Sequence, residues 1–264
     1  MNKHGDFIWY ELMATDGVSA ESFYGPVVGW RFSGAEGYRH VEASEGMIGG
    51  ILQLTSEMIS GGARPAWIGY IMVDDVDESV ASIIAGGGQV SMPAHDMEDV
   101  GRFAMVTDPQ GVAFYLMKPQ PPKDREGGES HAFSYERPRQ GHCAWNELAT
   151  ADPEAAKAFY GKQFGWKVDG GMDMGEMGMY EFWGPTDGHG MLGAVMPKMP
   201  QMPISTWTYY FRVPDIDAAV AMISANLGTV VQPPIEIPGG DSVWWRWTRM
   251  ALRSDWLGLR KAEL

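Results

Sequence analysis

Cysteine is almost missing from this chain. Cys143 is the single one among 264 residues, so no internal disulfide can form and the stapled framework of small secreted domains is excluded. Cys143 itself reads as a small packed residue, because a reactive thiol needs a base and an electropositive setting. Positive charge is scarce as well. Twenty Lys and Arg against 34 Asp and Glu leave a formal net charge of −14, which argues against a nucleic-acid backbone as partner. No apolar run approaches the roughly 20 residues needed to cross a bilayer, and no basic segment precedes an apolar one at the N-terminus. A cytoplasmic location without a membrane partner is therefore expected. The remainder, 45% hydrophobic and 20% charged, is a globular composition.

What the chain has in abundance is repetition. Trp9-Tyr10-Glu11-Leu12, Asp16, Phe23-Tyr24-Gly25 and Gly29-Trp30 return as Trp145-Asn146-Glu147-Leu148, Asp152, Phe159-Tyr160-Gly161 and Gly165-Trp166, each 136 positions later. A spacing that holds through apolar, acidic and glycine positions marks a duplication. A second set, Trp67, Tyr70, Val73, Asp75, Asp77 and Gly88, returns 140 positions later as Trp207, Tyr210, Val213, Asp215, Asp217 and Gly228. The difference (140 − 136) places four extra residues of the second copy between Trp166 and Trp207, where Met, Gly and Pro crowd together.

Within the first copy, residues 7–13 alternate like a half-buried strand, and Thr15-Asp16 caps a helix over 18–25. Gly29-Trp30 ends that helix, and strands follow through 47–54, after which 55–65, rich in Gly and Ser, reads as a connection. The same grammar then restarts. A strand over 67–73 leads to a helix over 77–85, stopped by Gly86-Gly87-Gly88, and then to strands near 89–92 and over 101–117 that turn at Asp108-Pro109-Gln110-Gly111. Residues 120–138, with Pro-Pro, Gly-Gly and many charges, lack periodicity and read as a linker between domains at 1–119 and 139–264.

Four strand-helix-strand-strand-strand units, the motif D-x₆-FY-x₄-GW after a first strand and D-P-x-G before a last one together resemble the vicinal oxygen chelate superfamily. That superfamily includes glyoxalase I, bleomycin-resistance proteins and extradiol dioxygenases, and the resemblance is closest to the tandem two-domain glyoxalase-like proteins of bacteria. It implies an α+β fold in which four βαβββ units form two tandem domains, their mixed sheets curled into cups that receive a small ligand. Function varies widely inside that shape. For metal-using members the resemblance places a His or Gln seven residues before each helix-capping Asp, and a Glu on the last strand. The matching positions here are Trp9, Ile68, Trp145 and Thr208, with Tyr115 in place of the Glu, and 49–54 offers no carboxylate. None of these is a usual metal ligand. Indoles in those places imply an aromatic-lined cup that holds an apolar or aromatic ligand by burial and stacking. Trp9 and Tyr115 would line the first cup and Trp145 the second, with Tyr70 and Tyr210 nearby.

Glu11 and Glu147 lie two residues beyond those tryptophans, so strand alternation turns them to the same side. Each is a candidate general base or a metal ligand at a shifted position, beside the commoner fate of a buried carboxylate, a structural hydrogen-bond acceptor. Three functional classes stay open: a small-molecule-binding protein without the usual metal, a divalent-metal lyase, isomerase or dioxygenase using Glu11 or Glu147, and a noncatalytic scaffold. No cofactor other than that alternative divalent metal is implied. Single-domain relatives dimerise to complete their sheets, so the duplication implies a monomer, with a homodimer as the other arrangement. His142 falls on the face opposite Trp145, His40 and His95 stand isolated, and all three read as surface or core histidines. Eight methionines between Met172 and Met202 have the density of a copper(I) site. No Cys or His joins their tightest cluster, and they read as packing along a hairpin or a soft lid over a ligand.

From about residue 241 the echo of 101–117 stops. Joining the last base of each codon to the first two of the next restores much of it. The genetic code alone then gives Val from Trp244-Trp245, Asp from Trp247-Thr248, Gly from Met250-Ala251 and Leu from Asp255-Trp256. Permissive choices at the degenerate bases complete Val-Val-Ala-Leu-Asp-Pro-His-Gly-Ala-Pro-Phe-Gly-Leu, its Asp at 248, which is 140 positions after Asp108. The tail thus reads as a frameshifted last strand, and its tryptophans are not a ligand platform.

Overall fold

The computed structural model describes residues 2–120, 128–133, 139–185, 187–188, 190–230, 233–236, 242–244, 246–247 and 255–258. The first copy runs β1 (Phe7–Ala14), α1 (Gly17–Val28), β2 (Arg31–Ala35), β3 (Tyr38–Ala43), β4 (Gly46–Gln53), α2 (Ser56–Ser60), β5 (Ala66–Met72), α3 (Val76–Ala85), β6 (Gln89–Met97), β7 (Gly101–Thr107) and β8 (Ala113–Pro119). The second runs β9 (Cys143–Thr150), α4 (Pro153–Phe164), β10 (Lys167–Asp173), β11 (Met179–Gly184), β12 (Gly193–Pro197), β13 (Thr206–Val213), α5 (Ile216–Ala225), β14 (Thr229–Val230), β15 (Ile235–Glu236), β16 (Ser242–Trp244), β17 (Arg246–Trp247) and β18 (Asp255–Gly258). The strand orders β2-β3-β4-β1-β5-β8-β7-β6 and β10-β11-β12-β9-β13-β18-β16-β15 repeat one topology, with β14-β17 as a separate pair. β1 is parallel to β4 and β5 to β8, and β2–β3, β3–β4, β6–β7 and β7–β8 are antiparallel hairpins. The fold is thus α+β with four βαβββ units and mixed sheets, as the sequence implies. Among the described residues no helix is long and apolar enough to cross a membrane.

Local chemistry explains the helix ends. Asp16, Asp75, Asp152 and Asp215 precede α1, α3, α4 and α5 in extended conformation, and their side chains accept from the amides of Ser19 (2.9 Å), Glu78 (2.9 Å), Ala155 (3.0 Å) and Ala218 (3.0 Å). Such a cap satisfies a first-turn amide and contributes about 0.5–2 kcal/mol. Gly29 and Gly165 end α1 and α4 at φ 84° and 72°, a conformation that a Cβ would strain, which is why glycine precedes the motif tryptophan.

The 55–65 stretch read as a connection contains α2. Thr55 supplies the missed signal by accepting from the Met58 amide at 3.2 Å. The net four-residue offset between copies is a balance. Registers place Trp183 142 positions after Val41 (183 − 41), and Gly193 144 after Gly49 (193 − 49). The β10–β12 region is therefore the longer one, and a shorter connection before β13, without a counterpart of α2, restores the offset to 140.

The sheets follow the two copies in sequence, but the compact packing units do not. One unit gathers Met1–Trp9, Ile68–Ser130 and Asn146–Trp207, and the other gathers Tyr10–Trp67, His131–Trp145 and Thr208–Leu264. Each takes one α-helical βαβββ segment from either copy. In the first, Tyr160 stacks on Trp166 (5.4 Å between ring centres, 6°) and meets Trp207 edge-on (5.5 Å), with Trp183 and Phe7 5.3 and 5.7 Å from Trp166. In the second, Tyr24 packs with Trp30 and Trp67 at 5.6 Å, and Phe211 closes on both indoles at 4.9 and 5.0 Å. Aromatic pairs of this kind are worth about 0.5–1.5 kcal/mol each beyond burial.

The motif tryptophans also tie the copies to each other. Trp30 donates its indole N–H to the Gly141 carbonyl at 2.7 Å, and Trp166 donates to the Gly5 carbonyl at 3.0 Å. Each indole thus reaches the glycine that precedes the other copy's first strand. The described part of the linker is likewise docked. Ser130 donates from Oγ to the Ile8 carbonyl at 2.6 Å, Phe133 bridges to Cys143, and Ala132 and Phe133 are buried.

Candidate functional site

In the first unit, β5 and β8 lie side by side with Tyr70 opposite Tyr115. Parallel neighbours at one register position share a face, and here the two rings stack at 4.1 Å and 14°. Phe103 of β7 stands 6.3 and 6.2 Å from them, and His95 of β6 meets Phe103 at 4.2 Å. Phe114 points the other way, toward Tyr160 and Phe164 of α4 at 5.7 and 5.9 Å. The Tyr70–Tyr115 stack therefore belongs to the face turned away from the helix. Trp9 is half-buried.

Also in this unit, Glu147 is buried on β9 and its Oε2 accepts from the Tyr180 hydroxyl of β11 at 2.8 Å. A hydrogen bond of this kind contributes about 0.5–1.5 kcal/mol net. Phe182 lies 5.9 Å from the Tyr180 ring, nearly perpendicular.

In the second unit, Glu11 on β1 is buried and pairs with Gly50 of β4. Leu12 and Ala14 pair with Ile51 and Gln53, and Gln53 holds the Gly17 amide of α1 at 2.7 Å, so that side faces the helix. Glu11 and Gly50 face away from it. His40 of β3 also pairs with Gly50, and the Tyr38 ring fills the space that a side chain at Gly50 would occupy. Trp145 is half-buried and packs on a buried cluster of Ala144 and Tyr210. The structure thus brings together Tyr70 with Tyr115 and Trp145 with Tyr210.

Cys143 is buried and donates to the Trp145 carbonyl at 3.3 Å, and burial pushes its thiol up to about 12. A thiol held protonated is a packing group, not a nucleophile. His142 is also buried. Its Nδ1 lies 2.6 Å from the His131 carbonyl, which fixes it as donor, and its Nε2 accepts from the Glu45 amide at 3.2 Å. That is the neutral tautomer, and burial holds the imidazole below its ordinary pKa.

The residues at the chelating positions do not fit a metal. Indole, sec-butyl and phenol side chains at Trp9, Ile68 and Tyr115 offer no ordinary donor set, and Thr208 and Trp145 add none. Among the described residues no three His, Cys, Asp or Glu side chains could together hold a metal ion. Sequence reasoning missed Tyr38, Phe103 and Tyr180, and it read His40 as a surface or core histidine. Tyr38 and Tyr180 stand 142 positions apart (180 − 38), so neither the 136 nor the 140 echo exposes them; only the strand register does.

A sequence profile of the Glyoxalase/Bleomycin resistance protein/Dioxygenase superfamily matches residues 139–243. CFP32 of Mycobacterium tuberculosis, whose name assigns it provisionally to the glyoxylases, is 33% identical over 235 residues, covering 87% of this chain and 85% of its own. The anthracycline biosynthesis protein DnrV of Streptomyces peucetius is 26% identical over 255 residues, covering 88% of this chain and 86% of its own. Among solved structures, the Mn(II)-bound glyoxalase of Novosphingobium aromaticivorans superimposes with a TM-score of 0.64 at 13% identity, over 99% of this chain and 84% of that one. The 2,2',3-trihydroxybiphenyl 1,2-dioxygenase of Sphingomonas wittichii gives 0.68 at 11% identity, over 97% and 91%.

Proposed function

Because the chain belongs to the glyoxalase/bleomycin resistance/dioxygenase superfamily, we propose that it binds a small apolar or aromatic molecule on the helix-free faces of its sheets, without a metal such as the Mn(II) of the Novosphingobium aromaticivorans glyoxalase. The observation that carries this reading is the Tyr70–Tyr115 stack, whose two rings lie 4.1 Å apart at the strand position where the family's carboxylate ligand is expected. A phenol in that place cannot supply the charge that a divalent ion needs, whereas a ring face is suited to stacking and burial. Trp9 and Trp145 repeat the substitution at the other chelating corner of each copy. Tyr210 packs beside Trp145 and serves the second copy as Tyr70 serves the first. Glu11 and Glu147 are buried carboxylates of those faces, and Tyr180 holds Glu147 in place. The name of DnrV supports an aromatic ligand, since anthracyclines are planar fused-ring molecules.

The test is binding of 1-naphthol and 1-methoxynaphthalene, followed by quenching of tryptophan fluorescence in protein stripped with a chelator and again after addition of Mn(II) or Fe(II). Saturable binding that is indifferent to metal is expected. Binding or turnover that appears only with metal overturns the reading in favour of a metal-dependent enzyme, and no binding in either state favours a scaffold.

A further inference from the structure

The two copies present equivalent helix-free faces that differ at one chemically decisive ring. Gly34 pairs with Arg39 and Gly171 with Glu181, which makes these two the equivalent glycines of β2 and β10. A Cβ on either would lie 2.9 Å from a tyrosine carbonyl oxygen, that of Tyr38 in the first copy and of Tyr180 in the second. Two residues beyond that tyrosine stands an imidazole, His40, in the first copy and a phenyl ring, Phe182, in the second.

Strand register extends the equivalence. His40 and Glu11 both pair with Gly50, while Phe182 and Glu147 both pair with Ala194. Residues paired across neighbouring strands share a face, so each ring and each carboxylate flank one small residue. Tyr38 meets His40 at 5.5 Å and 76°, as Tyr180 meets Phe182 at 5.9 Å and 78°. His40 is half-buried, Glu11 is buried, and the Tyr38 ring covers Gly50 between them. The first copy thus gathers an imidazole, a phenol and a carboxylate where the second offers a phenol, a carboxylate and a hydrocarbon ring.

Resting on the aromatic-ligand reading, we propose that the first copy selects a ligand bearing a phenolic or enolic hydroxyl, received by His40 beside Tyr38 and Glu11, and that the second copy takes the apolar counterpart. A ring nitrogen of neutral imidazole accepts an O–H bond, and phenyl has no such atom. A hydroxyl that donates to a carboxylate, as Tyr180 does to Glu147, keeps lone pairs with which to accept. A site furnished with hydrogen-bonding groups discriminates against an analogue without the hydroxyl far better than an apolar site discriminates against one that has it.

The experiment compares 1-naphthol with 1-methoxynaphthalene on the full chain, on His40→Phe and on Phe182→His, by fluorescence titration. The native protein should bind 1-naphthol about tenfold more tightly than the ether, the worth of one good hydrogen bond. His40→Phe should erase that preference while keeping affinity for the ether, and Phe182→His should give the second copy the same preference, read as about tenfold tighter naphthol binding at that site with unchanged stoichiometry. An unchanged preference in His40→Phe, or no gain of naphthol preference in Phe182→His while both ligands still bind, overturns this assignment and leaves the aromatic-ligand reading standing. If neither compound binds the native chain, that reading fails and this one with it.

Discussion

At the scale of single residues, His142 shows how burial sets a stability that depends on pH. Its two ring nitrogens are committed in the neutral tautomer, and burial is the largest cause that lowers its pKa below 6.5, with Arg139 adding to it and the His131 carbonyl and Glu45 opposing. The unfolded chain therefore takes up the proton first. The contribution is intact above the ordinary histidine value and is lost progressively as pH falls through 6.5 toward the lower folded value. The melting temperature is expected to fall between about pH 7 and pH 5, and His142→Gln, which keeps a donor and an acceptor but cannot titrate, should flatten that slope. Equal slopes in both proteins would reject the account. Sequence alternation placed His142 away from Trp145, but its partners at Glu45 and His131 are set by tertiary packing that no local pattern carries. The Asp caps are the opposite case. A short side chain and an amide three residues on are both local, so Asp16 and Asp152 were legible directly from the chain.

At the scale of elements, the last strand tests the reading frame. Residues 248–254, where the shifted frame places Asp-Pro-His-Gly, lie outside the described residues. The backbone of β18 nevertheless pairs Tyr210 with Asp255 and Phe211 with Trp256, as β8 pairs Tyr70 with Tyr115 and Ile71 with Leu116, each pair 140 positions on. In the first copy the turn carries more than its own loop. Asp108 accepts from the Gln110 and Val112 amides and from the Tyr160 hydroxyl at 3.2 Å, and Tyr160 in turn accepts from Trp207 at 3.3 Å. Burial pushes the Asp108 carboxyl up, and those donors partly hold it back. Trp67 donates to Tyr24 at 3.1 Å in the matching place, so a restored Asp at 248 would complete an identical relay. Nucleotide sequencing should show codons compatible with the shifted motif. A frame-restored chain should melt higher, by about 2–4 °C for each kcal/mol that the turn recovers. Incompatible codons reject the proposal.

At the scale of the whole molecule, the duplication was legible and the packing was not. Constant spacings exposed four βαβββ units, because the motif residues are the cap, the helix core and the closing glycine, each demanded by local geometry. That each compact unit draws on both copies depends on contacts more than a hundred residues apart, such as Trp30 with Gly141, and distance along the chain leaves no periodic trace. A direct consequence can be measured. Cleavage engineered within 121–127 should leave two fragments that co-elute in size-exclusion chromatography at the size of the intact chain, since both cores need both pieces. Fragments that separate without denaturant would contradict this.

The crossed indole–glycine bonds set what a half-length ancestor would have required. A single copy would keep Trp30 but lose Gly141, and its own Gly5 would be left for another molecule's indole. Two such molecules could satisfy each other only by meeting as a symmetric couple, and dilution would part them. Fusing the genes turned that encounter into an event within one polypeptide, governed by tether length in place of abundance.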